Sequence, residues 1–332
     1  MRVLITIFLL LLFATVHAQP IAVGTVLSKE QVSVHDPVIM KQDSVYYIFN
    51  TGNGISVWSS KDMQQWKKEA PVFAKPPQWA VAAVPGFRGH IWAPDIQYFN
   101  GQYVLFYSVS QFGKNTSCIG VAVNKTLHPS SPDFGWKDLG KVVQSVPGRD
   151  LWNAIDPNMI VDEKGAPWMS FGSWWSGIKL VRLDSSLKIA EPQQWYTIAR
   201  RPRAYNSSDS AGGSAAIEAP FIFKKGDYYY LFVSWDLCCK GEQSTYKMVV
   251  GRSKKLQGPY VDKAGVRMDH NGGSLLLEGN ADWHGVGHNA VYSVDGKDLL
   301  IFHGYDAKDK GRSKLRIEEL VWDIDGWPVV KK

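Results

Sequence analysis

SVYYIFNT (44–51), GQYVLFYSVS (101–110), APWMSFGSWW (166–175), DYYYLFVSWD (227–236) and KDLLIFHGY (297–305) are five variations on one strand. Each follows a short turn, KQDS (41–44), FNG (99–101), DEKG (162–165), KKGD (224–227) or VDGK (294–297), that joins it to an earlier apolar run. Those runs are DPVIM (36–40), APDIQYF (93–99), DPNMIV (156–161), APFIF (219–223) and HNAVY (288–292), so each pair reads as a hairpin. A third run follows in register each time: GISVWSSKD (54–62), SCIGVAVNK (117–125), GIKLVRLDSS (177–186), YKMVVGRSKK (246–255) and SKLRIEELVW (313–322). The unit is a β-meander. Outer fourth strands are less regular, although Trp66, Trp136 and Trp195 recur where an outer edge would pack. Helical periodicity is nearly absent.

With Asp36, Asp95, Asp156, Glu218 and His288 as markers, the units repeat at 59, 61, 62 and 70 residues. Five similar all-β units predict a five-bladed β-propeller. A four-stranded blade takes about forty to fifty residues, which leaves each unit room for loops that build an active site at the mouth of the central channel. A β-sandwich would not require strands of this regularity. No linker or low-complexity stretch divides the ring, so residues 19–332 read as one propeller domain.

The chain opens MRVLITIFLLLLFATVHAQ, with a basic Arg2, an apolar run from Val3 to Ala14, and Val16 and Ala18 ahead of Gln19. This predicts a secretory signal peptide over 1–18. The run is shorter than the roughly twenty apolar residues of a spanning helix, so the mature chain is expected to be secreted or periplasmic, without a membrane partner. Loss of Arg2 takes the net charge from +6 to +5. Lys and Arg are scattered, and the basic stripe of a nucleic-acid binder is missing. A monomer is expected.

The three cysteines, Cys118, Cys238 and Cys239, form neither a zinc pattern nor a disulfide framework. Adjacent cysteines rarely pair, so buried thiols are the favoured reading. Fourteen each of Trp, Tyr and Phe suit both a β-rich core and a surface on which flat ligands stack.

In a propeller the first strand of each blade lines the channel, so residues at its start converge. Asp36, Asp156 and Glu218 open three of these strands. Either aspartate alone is readily explained as an Asp-Pro turn. Three carboxyls brought together are not, because like charges side by side must move their pKa values apart, and acid–base catalysis exploits that arrangement.

HDP (35–37), WAPD (92–95), NAIDPN (153–158), IEAPF (217–221), SWDLCCKG (234–241), STYKMVVGRS (244–253), GPY (258–260) and GVGHNAV (285–291) resemble the arabinanases of glycoside hydrolase family 43. The resemblance implies a five-bladed propeller that hydrolyses α-1,5-linked L-arabinan with inversion. It further implies Asp36 as general base, Glu218 as general acid, and Asp156 as the residue that orients Glu218 and raises its pKa. An inverting mechanism sets two carboxyls about 6.5–9.5 Å apart with a water between, and opposite walls of a channel provide such a span. In the family a histidine in the GHN motif sits by a metal, often calcium, held otherwise by water, and this falls on His288. An imidazole is an unusual ligand for a hard cation.

His35, Trp92, Phe112, Trp152, Asn153 and Arg316 are the expected contacts to arabinan and arabino-oligosaccharides, since aromatic faces stack on sugar rings and amides read hydroxyls. Trp92 and Trp152 serve equally well as core residues, and Arg316 points inward only in one register. Internal cleavage of arabinan is the expected activity. An exo-acting α-L-arabinofuranosidase or β-xylosidase of the same fold is the nearest rival, decided by whether Trp175 and segment 200–215 wall off the groove. A lectin propeller would bind once per blade, whereas here Asp, Asp, Glu and His differ at the axis. Asn115, Asn124 and Asn206 lie in glycosylation sequons.

Overall fold

The computed structural model describes residues 21–331; the segment read as a signal peptide lies outside them. Five antiparallel sheets follow one another along the chain as the blades of a propeller. Blade 1 has strands Val38–Gln42, Val45–Asn50, Ser56–Ser60 and Gln65–Glu69, with Val26–Ser28 added outside. Blade 2 has His90–Phe99, Gln102–Val109, Ser117–Asn124 and Lys137–Ser145. Blade 3 has Asn158–Val161, Pro167–Phe171, Ile178–Arg182 and Trp195–Ala199. Blade 4 has Ile217–Lys225, Tyr228–Trp235, Lys247–Ser253 and Ser274–Leu277. Blade 5 has Trp283–Val294, Lys297–Asp306, Arg312–Trp322 and Pro328–Val330.

Alternation explains why the second strands read as nearly continuous apolar runs. Side chains of a strand leave on opposite faces, and both faces of a blade are covered by neighbours. Val104, Phe106 and Val121 pack against Met159, Met169 and Phe171 of blade 3. Tyr103, Leu105 and Tyr107, one residue out of phase, join a cluster with Tyr47 and Phe49 of blade 1. The ring closes by the same means, with Ile39 and Ile48 of blade 1 buried against Leu299, Ile301 and Leu315 of blade 5. Trp66 and Trp195 lie in fourth strands and Trp136 immediately precedes one, as the sequence pattern implied.

The cysteine expectation is corrected. Cys238 and Cys239 are bonded to each other, and only Cys118 is a free, buried thiol. Neighbouring side chains of an extended strand point apart, but Cys239 is left-handed (φ 66°), and this turn brings the two sulfurs together. Two sequons are also structural. Asn115 is fully buried and donates through Nδ2 to the carbonyls of Asp150 and Trp152, and Asn124 is 2% exposed.

Candidate active site

Each blade begins at the axis with a left-handed residue: Asp36 (φ 52°), Ala93 (φ 41°), Asp156 (φ 58°), Ala219 (φ 54°) and His288 (φ 52°). None is glycine, so each is strained, and strain of this kind concentrates at functional sites. In blades 2, 4 and 5 the same place is a break in register with the second strand, between Trp92 and Asp95, Glu218 and Phe221, and Gly287 and Ala290. A bulge interrupts the alternation of side chains. In blades 1 and 3, where regular pairing begins only at Val38 and Asn158, consecutive residues ahead of the strand share one cavity: His35 with Asp36, and Ile155 with Asp156.

This geometry adjusts the alignment of the acids. Asp36, Asp156 and His288 are equivalent, but Glu218 stands one residue earlier, in the position of His35 and Trp92. Asp95 stands two residues later. Its carboxylate faces blade 3, where it accepts from Met159 N at 2.6 Å and Asn158 Nδ2 at 3.4 Å, and burial pushes its pKa up to about 7.

The second strands end on a matching set, Thr51, Ser108, Ser173, Ser234 and His303, each two residues after Phe49, Phe106, Phe171, Phe232 or Ile301. Each links its blade to the next. Ala93 N–H donates to Thr51 Oγ1 (2.8 Å), Asp156 N–H to Ser108 Oγ (3.0 Å), His288 N–H to Ser234 Oγ (2.8 Å), and Asp36 N–H to His303 Nδ1 (3.1 Å). The link from blade 3 to blade 4 differs. Ser173 Oγ donates to Glu218 Oε2 (2.8 Å), and Ala219 N–H goes instead to Asp156 Oδ2 (3.1 Å).

The three carboxyls line one cavity of about 800 Å³ and sit in unlike surroundings. Asp36 Oδ1 is 3.0 Å from His288 Nδ1, and Oδ2 accepts from Thr51 Oγ1 at 2.5 Å. Burial pushes the Asp36 carboxyl up, but the charge and hydrogen bond of His288, with help from His35, hold it well below the usual range. Burial likewise opposes a charged His288, yet Asp36 foremost raises it to about 9. Glu218 accepts from Ser173 and, through Oε1, from Tyr246 OH at 2.8 Å. Burial still raises its pKa, and the negative charge of Asp36 adds to this. Asp156 is raised to about 8, first by burial and then by repulsion from Glu218 and Asp36, against the pull of His288. One carboxyl is thus ionised at neutral pH while a coupled pair retains a proton.

Of the other expected residues, His35, Trp92, Phe112 and Asn153 line this cavity with His288. Phe112 is 79% exposed on its loop. Asn153 is held by Ser117 Oγ at 2.6 Å. Two expectations are corrected. Trp152 packs its ring against Phe171 and Trp195, at 5.6 and 5.3 Å, on the core between blades 2 and 3 and not among the residues lining the cavity. Arg316 lies on a third strand, two strands from the axis, where it stacks over Trp283 at 4.3 Å and pairs with Glu318.

The sequence reading missed Thr51, Ser173, Tyr246, His303, Trp174 and the bonded cysteines. The first, second and fourth were detectable as the polar residue closing each repeated strand. Trp174, Ala211, Gly212 and Gly213 border the cavity, and Trp175 Nε1 donates to Asp209 O at 3.0 Å, so segment 200–215 is fastened onto the rim. A second hollow of about 450 Å³ continues past Trp92 and Phe112 to Arg88. No helix among the described residues is long and apolar enough to cross a membrane.

Unlike carboxyls gathered in one cavity of a propeller suit acid–base hydrolysis of a glycosidic bond, and residues 30–328 match the model of glycosyl hydrolases family 43. The chain belongs to that family. It is similar to the extracellular exo-α-(1→5)-L-arabinofuranosidase of Cellvibrio japonicus, 55% identical across 91% of this chain and 87% of the relative. It is 44% identical to the extracellular endo-α-(1→5)-L-arabinanase 1 of Bacillus subtilis, across 89% of this chain and 87% of that protein. Among solved structures, the Cellvibrio cellulosa α-L-arabinanase complexed with arabinohexaose superposes with a TM-score of 0.89 at 55% identity, covering 91% of this chain and 96% of the other.

Proposed function

We propose that this chain is an extracellular hydrolase that cleaves the α-1,5 bonds of L-arabinan with inversion. Asp36 is the general base, Glu218 the general acid, and Asp156 the residue that orients the acid and keeps it protonated. The observation that carries this reading is the unlike treatment of three carboxyls in one cavity, Asp36 held low while Glu218 and Asp156 are raised. An ionised carboxylate takes a proton from water as the water attacks the anomeric carbon. A protonated one gives its proton to the departing O5, and the C1–O5 bond breaks. Asp156 also fixes the acid's strand, because its Oδ2 holds Ala219 N–H next to Glu218. The relatives' names support the substrate and the extracellular setting.

Asp156→Asn removes the second member of the pair that shares a proton with Glu218, so the repulsion that resists loss of that last proton is gone. The basic limb of the kcat/KM–pH profile therefore moves to lower pH, by about one unit, while the acidic limb, set by Asp36, moves little. An unmoved basic limb counts against the role given to Asp156.

Action from a chain end is favoured over the internal cleavage expected from the motifs. Segment 200–215, fastened through Trp175, supports it by standing at the rim of the cavity. Chromatography of products from debranched arabinan tests this mode. A single short product from the first turnovers is expected, with little early fall in viscosity; a broad ladder and a rapid fall would establish endo action.

A calcium ion beside His288 fits the residues present. Asp36 occupies Nδ1, and a carboxylate on one ring nitrogen is the usual support of an imidazole that binds metal through the other. Nε2 would hold the ion, and water the rest of its shell. When bound, the ion supplies positive charge in place of the imidazolium proton. Calcium is expected to raise the melting temperature of the wild type but not of His288→Ala, and equal shifts in both would place the ion elsewhere.

A further inference from the structure

Three of the five backbone N–H links between blades end on a hydroxyl and one on the Asp156 carboxylate, whereas the fifth, from Asp36, ends on an imidazole. His303 is fully buried. Its Nδ1 accepts the Asp36 N–H, so a neutral ring must carry its proton on Nε2, yet Nε2 is buried without a hydrogen-bond partner among the described residues. A serine hydroxyl there would also accept the N–H and could turn its own O–H toward a nearby acceptor, whereas the ring's Nε2–H is fixed in direction and left unpaired, which is unfavourable. The ring must therefore contribute something that a hydroxyl cannot.

Its surroundings identify that contribution. One face meets His35, with ring centroids 4.2 Å apart, and His35 Nδ1 lies 3.7 Å from Asp36 Oδ1. Tyr246 stacks at 5.9 Å, and the hydroxyl of that tyrosine donates to Glu218 Oε1. Tyr305 closes the edge at 5.3 Å; its hydroxyl accepts from Cys239 N–H at 2.6 Å and lies 3.4 Å from His35 Nε2. His303 is thus wedged between the residue beside Asp36 and the residue that bonds Glu218.

We propose that His303 is a positioning residue for both carboxyls, holding the Asp36 backbone through Nδ1 and spacing His35 from Tyr246 through its ring. The proposal rests on the reading of Asp36 and Glu218 as base and acid. Inversion requires a fixed gap between those groups, and a rigid ring maintains a gap better than a rotating hydroxyl. The left-handed turn at Asp36 makes a fixed acceptor more necessary, since loss of the bond would let the strained residue relax.

Three variants test it. His303→Phe keeps a ring and removes the acceptor. His303→Asn puts an amide oxygen near the place of Nδ1, and His303→Gln puts one near the place of Nε2. The Phe variant is expected to lose roughly ten- to a hundredfold in kcat, with KM within about twofold. Asn recovers most of that loss and Gln does not. Wild-type kcat in Phe, or equal losses in Asn and Gln, would reduce His303 to a packing residue. Melting temperatures are measured alongside, and if Phe fails to fold, the contrast between Asn and Gln decides. Asp36→Asn, assayed in parallel, separates the two levels: full activity there sinks the assignment of the base, whereas an inactive Asp36→Asn with insensitive His303 variants sinks only this proposal.

Discussion

Asp36→Asn is expected to lower kcat on debranched arabinan by about 10³- to 10⁴-fold, with KM little changed. The substitution keeps the shape of the side chain and an oxygen for Thr51 Oγ1, which donates to it. It removes the charge that would take the proton from water. Because every substrate needs that water, the loss persists on aryl arabinofuranosides with good leaving groups. The low pKa of Asp36 has a cost, since a weakly basic carboxylate is a weak proton acceptor. Position compensates: the group is held by His288, His35 and Thr51, and its backbone by His303. Unchanged kcat in a folded Asp36→Asn protein removes it from the mechanism.

Glu218→Gln is expected to behave differently. On arabinan the departing sugar alkoxide is a poor leaving group and needs a proton as the bond breaks, so kcat falls by about 10²- to 10⁴-fold. On a dinitrophenyl arabinofuranoside the leaving group needs no proton, and activity returns to within about tenfold of wild type. Ser173 and Tyr246 still hold the amide, which limits the loss of geometry. The contrast between substrates in one variant and its absence in the other assigns acid and base. The reverse contrast would exchange the two roles.

The repeated second strands made the five blades legible because each lies between two others, and burial on both faces imposes an apolar run that is hard to disguise. The same strands carried half of the site in plain view, in the Thr, Ser, Ser, Ser and His that close them. Glu218 was recognisable as an acid near the axis, but its true register was not, since the left-handed residue of its blade is Ala219 and the acid stands one residue before it, whereas Asp36 and Asp156 are themselves left-handed. Backbone handedness at a non-glycine residue leaves no mark in composition. Trp152 and Arg316 were misplaced for a related reason: sequence proximity to a motif says nothing about which face of a blade a side chain takes. The cysteine pair depended on a left-handed turn at Cys239, which only the folded backbone displays.

The vicinal cysteines and the acids prove to be parts of one network, running from Cys239 through Tyr305 and His35 to Asp36, and through His303 and Tyr246 to Glu218. Such a network ties the proposed base and the proposed acid to one frame. Inversion is what the proposed division of roles requires. Proton NMR of the first turnovers on an α-linked arabino-oligosaccharide, recorded before mutarotation, tests it most directly. The newly formed reducing end is expected first as the β-anomer; first appearance of the α-anomer would mean retention, and would contradict the assignment of Asp36 as a base acting through water.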